Sequence, residues 1–320
     1  MPRTNDEVEL QLRVARKESA AEGTVILDLT TEGEELLPVW TPGAHIDLLL
    51  APGLTRQYSL CGDTTDRQTW RVAVLLEPKS RGGSAYVHNT LHEGDLVRVR
   101  APRNHFALVP SRRYLFIAGG IGITPILPML AEASRVGAEW ELHYGGKRLP
   151  TMAFLSELTA MAASSVHIHP QDQVGNLDLA TILGTPEANT TIYCCGPGAL
   201  LDAVEQRSRT WPTDALHMER FTPVHQAELV VNRSFEIELA QSGVTLEVQA
   251  EESIVQALRT AGVDVPSSCE EGTCGTCETQ VLSGEVDHRD SLLTAGERAA
   301  NDTMFICVSR AACPRLVLDR

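Results

Sequence analysis

The 320-residue sequence contains no apolar run near the roughly 20 residues that span a membrane as a helix, which argues against a membrane partner or anchor. It has no low-complexity tract and no repeat of fixed period, so a disordered scaffold and a solenoid are both excluded. Its polar, acidic start, Met1-Pro-Arg-Thr-Asn-Asp-Glu7, reads as neither a signal nor a transit peptide. Positive charge is scarce. Lys and Arg number 27 against 42 Asp and Glu, a net charge of −15, whereas a nucleic-acid partner needs a basic face. Without a secretion signal, eight cysteines point to a reducing cytoplasm, where thiols hold metals or fill cores rather than form disulfides. The chain also lacks a G-x-G-x-x-G fingerprint and any Rieske-type Cys-x-His pair.

What is present is concentrated near the C-terminus. Cys269-Glu-Glu-Gly-Thr-Cys274-Gly-Thr-Cys277, followed by Cys307, has the C-x4-C-x2-C…C spacing of a plant-type [2Fe–2S] cluster. Three thiolates from one tight loop and a fourth from elsewhere surround such a core, and Gly272 and Gly275 suit a chain that curls around it. Zinc or buried thiols are the alternatives. Zinc usually takes two C-x2-4-C knuckles or cysteine with histidine, and Cys307 has no knuckle partner. Cys269, Cys274, Cys277 and Cys307 are therefore expected to ligate iron. Cys61 and Cys313 read as small hydrophobes. Acidity gathers around the same segment: residues 230–320 carry 15 acids against 7 Lys and Arg. That is either a solubilising surface or a docking face for a basic redox partner, with Glu270, Glu271 and Glu278 beside the ligands.

The pattern along the chain divides it into 1–106, 107–222, a linker at 223–233 and 234–320. Short apolar alternations at 9–14, 24–29, 45–50, 70–75 and 96–100, broken by Gly and Pro, predict an antiparallel barrel or sandwich. Strands at 114–118, 141–144, 166–169 and 191–195 alternate with helical stretches at 125–136, 151–162 and 199–209, which predicts a doubly wound α/β domain. Strands at 235–239 and 245–248 and a helix at 253–261 precede the cysteine loop.

Two glycine turns follow strands of the α/β segment. Gly119-Gly120-Ile121-Gly122-Ile123-Thr124-Pro125 and Cys195-Gly196-Pro197-Gly198 both open helices at the carboxyl ends of strands, where a doubly wound sheet binds its ligand. They predict a nucleotide site. Cys195 there is either a contact to the bound nucleotide or a small buried strand-end residue.

In order along the chain, Arg56-Gln-Tyr58-Ser59, Gly82-Gly83-Ser84, the two glycine turns and the cysteine loop resemble the ferredoxin-NADP⁺ reductase superfamily. Val265-Pro-Ser-Ser-Cys-Glu-Glu-Gly-Thr-Cys-Gly-Thr-Cys277, Asp287-His-Arg-Asp290 and Cys307-Val-Ser-Arg310 resemble its phthalate dioxygenase reductase and vanillate demethylase reductase group. The resemblance covers essentially the whole chain. It implies a Greek-key β-barrel for FMN, an α/β domain for NADH and a β-grasp-like plant-type ferredoxin domain. Carried over by motif, it implies that Arg56, Tyr58, Ser59, Val72, Ala73, Val74, Gly82, Gly83, Ser84, Thr124 and Phe221 contact FMN. Gly119, Gly120, Gly122, Ile123, Pro125, Cys195, Gly196 and Pro197 would contact NADH. Leu75 departs from the group, which often has a basic residue there. Lys147 and Arg148 are the one candidate pair for a 2′-phosphate, and the resemblance favours NADH over NADPH.

The implied activity is that of a monomeric reductase component. It takes hydride from NADH onto FMN, without an acid or base side chain, and passes single electrons through the cluster to a separate Rieske-type aromatic oxygenase or demethylase. Oxygen activation is outsourced, since the chain has no site for it. The alternatives are an electron donor to a haem protein or small acceptor, or a flavin reductase with a sensory or structural cluster. His288 is expected to be structural or to serve docking.

Overall fold

The structure, a computed structural model, describes residues 8–78, 81–162, 164–212, 214–223 and 232–320. Residues 224–231 of the expected linker and the first seven residues lie outside them. The chain divides into two compact units, Met1–Glu219 and Arg220–Arg320.

The first unit begins with strands β1 (Glu9–Ala21), β2 (Thr24–Thr30), β3 (His45–Ala51), β4 (Leu54–Ser59) and β5 (Thr69–Leu75), helix α1 (Gly83–Asn89) and strand β6 (Leu96–Arg103). They pair antiparallel in the order β4-β3-β6-β1-β2-β5. A Leu60–Val72 bridge, with the Cys61 amide donating to the Arg71 carbonyl at 2.9 Å, brings the two edges together and closes a barrel. Period-two alternation sends Val97 and Val99 of β6 inward to meet Leu12, Leu27, Ile46 and Trp70. β1 runs seven residues past the alternation that announced it. It pairs first with β6 through Glu9–Arg13 and then with β2, with register shifts that turn it from one partner to the next.

A parallel sheet follows, with β7 (Arg113–Gly119), α2 (Ile123–Arg135), β8 (Glu139–Gly146), α3 (Leu155–Ala162), β9 (Val166–Pro170), the single turns α4 (Gln171–Val174) and α5 (Leu179–Ile182), β10 (Thr190–Cys195), α6 (Gly198–Arg207) and β11 (Leu216–Glu219). Strand order is β11-β10-β7-β8-β9. After Arg113, central β7 is buried from Tyr114 to Gly119 because both faces are covered. Tyr114, Phe116 and Ala118 pack with Ile126, Met129 and Leu158, while Leu115 and Ile117 pack with Leu179, Leu201 and Val204. Helix α3 starts later than its sequence suggests, because 149–151 form a 3₁₀ turn and Met152, Ala153 and Phe154 are buried ahead of it. Barrel residues Ile26, Cys61 and Ala73 share a core cluster with Phe116 and Ile126, so barrel and parallel sheet make one compact body.

The second unit holds β12 (Phe235–Leu239), β13 (Val244–Val248), α7 (Ile254–Thr260), β14 (Glu278–Ser283), β15 (Val286–Asp287), α8 (Ala295–Ala300), β16 (Thr303–Phe305), β17 (Arg310–Ala311) and β18 (Arg315–Leu318). Its main sheet runs β13-β12-β18-β14-β16, with β12 and β18 parallel, while β15 and β17 pair apart from it. Helix α7 lays Ile254, Val255 and Leu258 on a core with Ile237, Phe305 and Leu316. A capping box fixes its start: the Gln256 amide donates to Ser253 Oγ at 3.2 Å. The Arg310 guanidinium lies over the Phe235 ring and donates to the carbonyls of Arg233 and Gln249.

Candidate functional site

The barrel seam gathers the residues expected to hold flavin. Arg56, Tyr58 and Ser59 lie on edge strand β4, opposite Leu48, Ile46 and His45. Val72 and Val74 of β5 are buried in the barrel core, whereas Ala73 between them belongs to the core shared with the parallel sheet. The side chains of all three are thus taken up by packing. Arg56 donates to the carbonyls of Thr55 (2.7 Å) and Arg81 (2.8 Å), which fastens it across the loop that starts α1. A Cβ at Gly83 would stand 2.3 Å from Arg56 Cγ, so glycine is what admits the arginine there. Gly82 has φ +92°. Ser84 is buried, and its Oγ accepts from the Glu77 amide at 3.1 Å, which closes the same loop. A guanidinium beside a glycine loop is a donor set that fits a phosphate. Burial pushes the Tyr58 hydroxyl up to about 12, so it stays protonated.

The two glycine turns pack on each other, backbone to backbone. A Cβ at Gly122 would meet the Cys195 carbonyl oxygen at 2.3 Å, and one at Gly119 would meet Pro197 Cδ at 2.7 Å. A Cβ at Gly196 would stand 3.0 Å from Gly119 Cα. These three glycines are thus required by the contact between turns. Gly120 differs: its φ is +55° and nothing lies near its missing Cβ. The turns lie at the carboxyl ends of β7 and β10, which are neighbours in register from Thr190–Arg113 to Cys195–Ala118. Ile123, Thr124 and Pro125 form the first turn of α2 after Gly122, and Thr124 Oγ1 donates to the Ile121 carbonyl at 2.9 Å. Pro197 caps α6. The Arg148 guanidinium is paired with Glu22 at 2.7 Å, which engages one of the two cations considered for a 2′-phosphate.

One further residue at this end belongs to no sequence motif. Glu219 ends β11 and pairs with Cys195, its Oε2 lying 4.0 Å from Cys195 Sγ. Burial pushes the Glu219 carboxyl up to about 8. Burial, and then Glu219, push the Cys195 thiol well above its ordinary range. Both therefore carry protons at neutral pH. An acid at a strand end next to a strand-end cysteine is the signal that marks Glu219, and it needs the parallel register to be seen. Phe221 is the second residue of the second unit and is exposed.

In the second unit the four cysteines converge. Cys269, Cys274 and Cys277 lie between α7 and β14, and Cys307 follows β16. Cys269 Sγ accepts the amides of Glu271 (3.3 Å) and Thr273 (3.5 Å). Contact with Cys274 and Cys307 pulls the Cys269 thiol far down. Contact with Cys269, then burial, drives Cys274 far up, and Cys269 and Cys277 do the same to Cys307. Sulfurs this close cannot all ionise unless cations sit among them, and this donor set fits a [2Fe–2S] core. Gly272 and Gly275 have φ +69° and +77°, and a Cβ on Gly272 would stand 2.6 Å from Val308 Cγ2. The His288 side chain is 7% exposed, with Nδ1 3.9 Å from Asp290 Oδ2. Of the acids flanking the loop, Glu270 is paired with Arg259 at 2.6 Å, and Glu278 accepts from Thr303 Oγ1 at 3.1 Å.

Residues 237–312 match the family described as 2Fe-2S iron-sulfur cluster binding domain. Over 313 residues the chain is 38% identical to the phthalate 4,5-dioxygenase oxygenase reductase subunit of Pseudomonas putida, covering 96% of both chains. It superposes on the solved structure of a phthalate dioxygenase reductase with TM-score 0.72 and 36% identity over 98% of each chain. The chain belongs to the phthalate dioxygenase reductase family. It is an oxidoreductase, the reductase component of an oxygenase system, and its cofactors are FMN, NADH and a [2Fe–2S] cluster. An intact type IV self-sufficient cytochrome P-450 monooxygenase is also similar, with TM-score 0.92 and 43% identity over 98% of this chain; the chain spans 41% of that protein's length. Among the described residues no helix is long and apolar enough to cross a membrane.

Proposed function

We propose that residues 1–106 hold FMN, 107–222 bind NADH and 234–320 carry the cluster, joined by a linker at 223–233. The observation that supports grouping the flavin and nucleotide sites apart from the cluster is the shared core of the first unit. It holds the barrel seam with Arg56, Tyr58 and Ser59 and the paired glycine turns in one body, while the cysteine loop belongs to another. Hydride transfer demands fixed, close geometry between donor and acceptor. Outward electron transfer instead favours a separate module that can meet a partner. Arg56 with Gly82, Gly83 and Ser84 would take the flavin phosphate. Tyr58, Ser59, the backbone of 72–74, Thr124 and Phe221 would border its ring. Gly119, Gly120, Gly122, Ile123, Pro125, Cys195, Gly196 and Pro197 would line the nucleotide site. When bound, FMN converts the two-electron hydride of NADH into single electrons for the cluster.

The partner we propose is a Rieske-type terminal oxygenase or demethylase acting on an aromatic substrate, served by a monomeric reductase in the cytoplasm. A haem acceptor is the second reading, favoured by the likeness to a self-sufficient haem monooxygenase. Mixing NADH-reduced protein anaerobically with a Rieske oxygenase and with a soluble haem monooxygenase separates the two. Faster reduction of the Rieske centre is expected. Faster reduction of the haem would replace the first reading with the second.

A further inference from the structure

The strands of the nucleotide half carry a cluster of side chains that neither hydride transfer nor electron exit uses. His143 of β8 stands opposite His167 of edge strand β9, and Glu141 lies two residues before His143 on the same face. Glu141 Oε1 is 3.1 Å from His143 Nε2 and 3.0 Å from His167 Nε2. One ligand atom from each of the three residues lies within 4.8 Å of the other two. The two imidazoles are stacked, with centroids 4.8 Å apart. Glu141 pairs with Leu115, four residues before Gly119, so the cluster is ~13 Å along the sheet from the glycine turn.

We propose that Glu141, His143 and His167 form a binding site for a zinc-class transition-metal dication, separate from the cysteine loop. The donor set, two imidazole nitrogens and one carboxylate oxygen, suits such an ion. Bonds of about 2.0–2.1 Å place two ligands of a tetrahedral ion ~3.3 Å apart, close to the 3.1 and 3.0 Å from Glu141 Oε1 to the two imidazoles, and binding would tilt the stacked rings toward one point. The ion takes the place of the hydrogens between these atoms. His143 then carries its proton on Nδ1, which lies 3.4 Å from His169 Nε2 and donates to it, fixing the ring from behind. Arg113 is the facing cation. It lies 3.4 Å from Glu141 Oε2 and also pairs with Glu187, so it engages the other carboxylate oxygen and leaves Oε1 to the imidazoles. The His167 side chain is 43% exposed, which gives the ion a way in and leaves a coordination position open to water. A bound ion would clip edge strand β9 to β8.

The test is isothermal titration calorimetry of zinc chloride into untagged protein loaded with flavin and cluster. One saturable site is expected, and His167→Ala and Glu141→Gln should each weaken it at least ~10-fold while flavin and cluster absorbance stay unchanged. Zinc X-ray absorption should show only nitrogen and oxygen neighbours. Absence of saturable binding, binding that His167→Ala leaves intact, or sulfur in the zinc shell would each overturn the proposal.

Discussion

The paired glycine turns of the first unit and the cysteine loop of the second both depend on glycine, for different physical reasons. In the loop, Gly272 and Gly275 supply positive φ so that side-chain sulfurs can converge on one point. In the turns, Gly119, Gly122 and Gly196 remove Cβ atoms so that two backbones can touch. A site built from side chains declares its chemistry in the residue types. A site built from backbone declares only that something comes close, and here much of what comes close is the other turn.

The largest effect that sharpens this contrast belongs to Cys274→Ser. Losing one of four thiolates should abolish the cluster's electron paramagnetic resonance signal, while NADH oxidation by ferricyanide stays within about twofold, because hydride transfer lies upstream. Loss of both activities would mean that the two regions are not separable. Next comes Gly122→Ala, whose Cβ would meet a carbonyl oxygen at 2.3 Å. Backbone cannot swing aside as a side chain does, so a loss of about 3 kcal/mol is expected in urea unfolding. Gly120→Ala meets only the left-handed φ and should cost about 1 kcal/mol. Equal losses at the two positions would refute the packing account of the turns.

A smaller effect concerns Glu219. Its carboxyl is raised from 4.5 to about 8, so between those values the folded protein holds a proton that the unfolded chain has released. Stability should therefore fall as pH rises through that window, and Glu219→Gln should flatten this part of the profile. A parallel decline in the variant would place the titration elsewhere. The smallest effect is expected from Glu270→Gln with Glu271→Gln. The Arg259 pair already offsets Glu270, so electron delivery to a basic partner should fall less than twofold at low salt. A larger fall that vanishes at high salt would restore the acidic exit face to importance.

The meeting of the four cysteines and the order of barrel, parallel sheet and cysteine-loop unit were legible in the sequence, because thiolate spacing and apolar periodicity act over short stretches. Strand β12 matches its expected bounds, and α7 lies between the Ser253 and Ala261 that framed it. Strands β11 and β14 through β18 carry too few alternating residues to announce themselves. Glu219 was hidden because its meaning depends on a parallel register with Cys195. The neutralisation of Glu270 was hidden because Arg259 reaches it from the preceding helix. The long second half of β1 carries Arg16-Lys17-Glu18, a charged run with no apolar stripe. The shared core of the first unit arises from barrel residues such as Ala73, whose outward face looks ordinary until the parallel sheet covers it.

The central claim is that one chain joins a two-electron donor to a one-electron exit. Extraction of the purified protein's cofactors, with iron and zinc analysis, tests it most directly. The account predicts about one FMN and two irons per chain, with a plant-type cluster spectrum beneath the flavin bands. FAD in the extract would contradict the flavin assignment, and zinc in the cysteine loop in place of iron would end the electron-transfer account.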